Sequence, residues 1–196
     1  MYQKAAPAAN LLTFRRVRRL KGMERILTLL SFFVVLSSFT FGQQTTPNPC
    51  TTAQQKQLDF WLGEWDLTWP GEKQGEVGHG TNSIKRIMEG CVVQENFSGG
   101  DSIHLRGTSV STFDASAGRW KQTWVDNEGG YLDFVGAFKD GQMILQRETE
   151  RGGVKVLQRM VWKNITTNEL EWSWEVSRDG GKTWEVKWPI HYKRRS

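Results

Sequence analysis

Histidine and cysteine are the scarcest chemistry-bearing residues of this 196-residue chain, three of the first and two of the second. His79 and His104 stand in separate segments without metal-ligand spacing, so no zinc or iron site is expected. No glycine-rich stretch opens a helix, which removes the phosphate loops. No serine sits in a nucleophile context, which removes a Ser-His-Asp triad. Repeats of fixed period are absent too, which disfavours propellers and solenoids. Catalytic residues are left unassigned on these grounds.

Long apolar runs are equally scarce. The one that stands out, Ile26 to Gly42, follows the basic stretch RRVRRLKGMER at 15–25. A basic stretch, a short apolar run and small residues before Gln43 describe a secretory signal peptide over 1–42. Thr40 and Gly42 suit the −3 and −1 positions of a cleavage site, and Met23 is an alternative start. The alternative is a membrane anchor, but 17 residues lie at the short limit for a span. Arg18 and Arg19 hint at a twin-arginine signal, against which the apolar run is too greasy.

Removing that segment changes the charge argument. Residues 1–42 hold seven Lys/Arg and one Glu, a net of +6, against +5 for the whole chain; the remainder is −1. The basic balance therefore belongs to the leader. Nucleic acid and acidic membranes lose their support as partners, and no stable membrane span is expected after processing. About 154 residues remain, which suits one domain. Its two cysteines, Cys50 and Cys91, read as a disulfide in an exported, periplasmic or extracellular protein. A lipoprotein reading of Cys50 fails because Thr46-Pro47-Asn48-Pro49 lacks the small apolar residues of a lipobox.

Residues 43–50 form a polar, proline-containing linker, and a barrel domain is expected over 51–196. Thr51 and Thr52 can cap a short helix through about Leu62. Glycine-punctuated segments follow at 64–69, 76–89, 91–98, 102–113, 119–126, 130–138, 142–150, 153–163, 169–177 and 183–194. Most alternate apolar and polar residues, the period of half-buried strands. The connections, such as Lys139-Asp140-Gly141 and Arg151-Gly152-Gly153, tolerate positive φ. The expected fold is all-β, an antiparallel meander of about ten strands that closes into a barrel and so removes its edges.

One octet, SRDGGKTW from Ser177 to Trp184, matches every fixed position of the Asp box found in sialidases. A sialidase usually carries several such boxes with an arginine cluster and a tyrosine–glutamate pair, and this chain has one box. The octet therefore reads as a hairpin turn. Asp179 accepts backbone N–H bonds, Gly180 and Gly181 supply left-handed angles, and Trp184 packs beneath.

Strand parity places seven of the ten tryptophans. Leu170, Trp172, Trp174 and Val176 share one face of the ninth segment; Trp184, Val186, Trp188, Ile190 and Tyr192 share one of the tenth. The eighth contributes Val154, Val156, Met160 and Trp162, and the fifth Trp120, Gln122, Trp124 and Asp126. Two readings follow. The tryptophans fill the barrel, or they line a cavity for a small apolar or planar molecule. For the second reading the candidate ligand-binding residues are Trp120, Trp124, Trp162, Trp174, Trp188 and Tyr192. Gln122, Asp126 and Arg147 would be the polar contacts, or else members of a hydrogen-bond network that braces the barrel.

Four stretches carry a resemblance. Asp59-Phe60-Trp61-Leu62-Gly63-Glu64-Trp65-Asp66, GCVVQENF from Gly90, WKQTWVDNEGGYLDFVG from Trp120 and the terminal SRDGGKTWEVKWPIHYKR together resemble an exported bacterial family of unknown function. Gly63-Glu64-Trp65 is also similar to the G-x-W signature of calycins, the lipocalin and fatty-acid-binding barrels. That resemblance implies a tryptophan closing the barrel floor, with Arg194 or Lys193 stacked on it. A nitrobindin-type barrel is a further relative and implies haem held by a histidine. His191 is the candidate, but its parity puts it with Lys187 and Lys193 on the outer face, so no cofactor is expected and haem stays an alternative.

The resulting expectation is a non-enzymatic binding barrel for a small hydrophobic or planar ligand. The alternatives are a small-substrate enzyme, an isomerase or hydrolase using the same cavity, and a filled barrel with a structural role.

Overall fold

The structure, a computed structural model, describes residues 50–195. The expected signal peptide and residues 43–49 of the linker lie outside the described residues. Ten strands follow in order: β1 Gly63–Pro70, β2 Val77–Ile87, β3 Val92–Ser98, β4 Arg106–Asp114, β5 Arg119–Asp126, β6 Tyr131–Lys139, β7 Gln142–Arg151, β8 Val154–Lys163, β9 Glu169–Ser177 and β10 Glu185–Arg194. Each pairs antiparallel with its sequence neighbours, and β1 pairs with β10 through Trp65↔Arg194 to Thr68↔His191. The barrel is closed, so no strand keeps an unpaired edge along its full length.

The short helical segment before β1 consists of two single 3-10 turns, Gln54–Lys56 and Asp59–Trp61. Thr52 and Gln55 satisfy each other at the first: the Thr52 N–H donates to Gln55 Oε1, and the Gln55 N–H donates to Thr52 Oγ1. The segment seals one end of the barrel. Leu58 and Trp61 are buried, and Trp61 meets Trp162 edge to face at 5.2 Å. Arg86 of β2 ties the segment down by donating to Gln55 O and to the Asp59 carboxylate. The Cys50–Cys91 disulfide, Cα atoms 5.0 Å apart, fastens the same segment to the β2–β3 turn.

Trp65 lies at the centre of this seal. Its indole N–H donates to Trp61 O at 2.7 Å, and the Arg194 guanidinium stacks 4.1 Å over its ring. Arg194 also donates to the carbonyls of Phe60, Leu62 and Thr167. Of the two basic residues considered for this stack, Arg194 occupies it and Lys193 is exposed. Gly63, at φ +120°, is glycine for a visible reason: a Cβ there would sit 2.4 Å from an Arg194 nitrogen.

Parity holds along most strands and fails once. Val186 pairs with Glu175 and Trp188 with Trp174, so the register shifts between them. This bulge turns Trp184 and Val186 to the outer face, against the expectation that they point inward with Trp188. Outside, Trp184 receives the Arg159 guanidinium at 3.9 Å, and Arg159 is paired with the buried Glu175 carboxylate at 2.6 Å. The Ser177–Trp184 octet folds as a turn. Asp179 accepts from the Thr183 N–H and hydroxyl, the Gly181 N–H donates to Ser177 Oγ, and both glycines take positive φ. These bonds hold the Asp179 carboxyl at about 2, below its ordinary 3.8.

Candidate ligand-binding cavity

β1 begins and β10 ends at the sealed end, so the hairpin turns 127–130 and 152–153 and the loop 99–105 gather at the other. There the inward side chains do not meet across the barrel. They leave a cavity of about 260 Å³, slightly under the usual small-molecule range of about 300–1,000 Å³.

Its walls are mostly aromatic. Trp124, Trp172, Trp174 and Trp188 are half-buried and line it, while Trp61, Trp65, Trp120 and Trp162 are each at most 1% exposed. Edge-to-face contacts run from the seal to the mouth: Trp162–Trp172 at 6.3 Å, Trp172–Trp188 at 5.9 Å, Trp188–Phe97 at 5.9 Å and Phe97–Trp124 at 6.1 Å. Such tilted pairs fix ring positions beyond what burial alone does. Gly107 makes this geometry feasible on β4, since a Cβ there would fall 2.0 Å from the Trp124 ring.

Of the nine candidate residues, Trp124, Asp126, Trp162, Trp174, Trp188 and Tyr192 surround this cavity. The other three lie elsewhere. Trp120 is packed near the seal and donates its N–H to Gln57 Oε1. Gln122 is buried and donates to Ser111 Oγ, a bracing bond between β4 and β5. Arg147 lies over the Phe134 ring, 5.9 Å from its centre. His191, His79 and His104 are all exposed, and among the described residues no group of three or more His, Cys, Asp or Glu could hold a metal.

The residue that the sequence reading missed is Glu95. It lies at the inner end of the cavity and is 7% exposed. Asn82 Nδ2 donates to one of its oxygens and Ser109 Oγ to the other, each at 2.7 Å. Burial pushes its carboxyl up from the ordinary 4.5, more than these two bonds pull it down. Asn82 also donates to the Tyr192 hydroxyl at 3.1 Å, and burial followed by the nearby Glu95 charge keeps that phenol protonated. The signal was present in VVQENF: Val93 and Phe97 alternate inward, and Glu95 stands between them in phase.

The mouth carries different acids. Asp126 Oδ2 accepts from the Trp124 indole N–H at 2.9 Å, and Oδ1 accepts from the Glu128 and Gly130 N–H groups. These bonds, the Trp124 one first, hold Asp126 below the ordinary carboxylate range. The cavity is thus an aromatic sleeve with a buried carboxyl, raised by burial, inside and Asp126, held low by its hydrogen bonds, at its entrance. No family model matches this chain, and no curated protein does.

Proposed function

We propose that this protein is an exported, calycin-like barrel that holds one small planar molecule in its open half. The observation that carries the reading is the set of half-buried tryptophans around a 260 Å³ space in a barrel whose other inward tryptophans are packed. Indoles left uncovered lose dispersion contacts that a flat ligand would restore. The disulfide supports export, since such bonds persist in oxidising compartments. Among the described residues no helix is long and apolar enough to cross a membrane.

Naphthol tests this reading. It should quench tryptophan fluorescence saturably with one site per chain and raise the melting temperature. A ligand that binds only the folded state adds about 2.7 kcal/mol at a hundredfold excess over Kd. Leu132→Trp, which fills the mouth, should abolish both effects. Quenching that is linear and unaffected by Leu132→Trp would refute a cavity site.

A second reading has one observation in its favour. A carboxyl raised by burial and facing a cavity is suited to proton transfer. In that case the barrel would isomerise or hydrolyse its ligand, and Glu95→Gln would remove turnover while leaving binding in place.

A further inference from the structure

Among the described residues, every ionisable carboxyl, amine or guanidine that lines the cavity is an acid: Glu95 inside, Asp126 and Glu128 at the mouth. Among the described residues no lysine, arginine or histidine lines it, and Arg147 lies over the Phe134 ring. Between the acids stand indole walls, whose negative π-faces attract cations and are indifferent or hostile to anions. A fatty acid or a haem propionate would bring negative charge into this field without a partner. A neutral ring would leave the Glu95 carboxyl with no use beyond its two internal bonds.

We infer that the cavity takes a flat organic cation, an aromatic or alicyclic ammonium whose ring lies between Trp124, Trp174 and Trp188 and whose nitrogen reaches Glu95. This rests on the reading that the cavity binds a ligand. The groups facing Glu95 are Asn82 from β2, Ser109 from β4 and Tyr192 from β10. Tyr192 is the titratable one, and it stays protonated. Without ligand the buried Glu95 carboxyl retains its proton more readily than an exposed acid. On binding an ammonium, the Glu95 O–H bond breaks, its proton leaves to solvent, and the carboxylate left behind accepts an N–H bond from the ligand. Ammonium affinity accordingly rises with pH through the free protein's Glu95 value, and affinity for a neutral isostere does not.

Calorimetric titration with three naphthyl probes of matched size decides the matter: naphthylethylammonium, naphthylethanol and naphthylacetate. The ammonium should bind at least about tenfold more tightly than the alcohol, as a charge-assisted bond requires, and the acetate most weakly. Glu95→Gln keeps the shape, its Oε1 accepting from Asn82 Nδ2 and its Nε2 donating to a reoriented Ser109 hydroxyl, and should bring ammonium and alcohol within about threefold of each other. Glu128→Gln, at the exposed mouth, should change the ammonium by less than about threefold. An acetate as tight as the ammonium overturns the inference, as does a tenfold gap that survives Glu95→Gln or vanishes in Glu128→Gln alone. Should Glu95→Gln fail to fold, the wild-type protein still decides. Its ammonium-to-alcohol affinity ratio must rise as pH climbs above Glu95's ordinary 4.5, and a ratio that stays flat from there upward overturns the inference. Equal binding of all three probes ends the cation reading and leaves the cavity reading standing. No binding by any of them ends both.

Discussion

The two ends of this barrel are built from the same residue types and do opposite things with them. At the sealed end Trp61, Trp65 and Trp120 are buried to within 1%, under a chain segment held by a disulfide and by two arginines. At the open end Trp124, Trp174 and Trp188 keep a face uncovered, and the end of β5 and the turn after it supply Asp126 and Glu128 in place of a plug. Tryptophan content alone therefore does not distinguish a filled barrel from a hollow one. What differs is whether a neighbouring segment supplies atoms to cover the rings.

The largest effect should come from breaking the seal. Arg194→Ala removes a stack on Trp65 and three bonds to backbone carbonyls. It should cost about 3 kcal/mol in denaturant unfolding. Naphthol affinity should hardly move, because the cavity lies at the other end; a parallel loss of affinity would mean that the two ends are not separable.

Replacing Cys50 and Cys91 by serine should cost a comparable amount, about 2–4 kcal/mol, by freeing a 41-residue separation in the unfolded chain. Thiol titration of the unfolded, unreduced wild type should find no free sulfhydryl. Two free thiols would contradict the bond.

Glu95→Gln acts at the open end and should act in the opposite direction. The folded-state carboxyl lies above its ordinary 4.5, so between those values the unfolded chain gives up the proton first. Wild-type stability then falls as pH rises through that window. Glutamine cannot ionise, so its melting temperature should exceed the wild type's at about pH 8 and match it at about pH 4. A gain that is equal at both pH values would show that desolvation of Glu95 is not the cause.

Asp179→Ala should have the smallest effect, since the turn it braces is exposed. Its folded value of about 2 lies below 3.8, so its stabilisation is present above about pH 4 and is lost as pH falls toward 2. The variant should melt slightly lower than wild type at neutral pH, and the difference should close on acidification. A difference that persists in acid would assign the effect to packing instead.

Much of this architecture was legible as alternation. The ten segments, their meander order and the inward phase of Trp120, Gln122, Trp124 and Asp126 follow from period-2 patterning alone. Trp184 and Val186 were misplaced because a bulge adds one residue without marking the sequence: Trp-Glu-Val-Lys-Trp keeps perfect alternation through it. Glu95 was overlooked for a different reason. An acid in a strand reads as solvent-facing, and only its phase against Val93 and Phe97 shows otherwise. Arg147 had the right inward phase but a position over Phe134 that phase cannot give. Distance along the barrel axis, which separates Trp120 in the seal from Trp124 at the cavity, depends on which end the preceding segment covers.

The most direct measurement of the central claim is a crystal of the protein grown with a brominated naphthol, with the bromine located by its anomalous signal. The bromine should occupy one site, inside the barrel and among Trp124, Trp174 and Trp188. Bromine at the outer groove beside Trp69, Val186 and Pro189, or side chains collapsed across the interior with no bromine there, would contradict it.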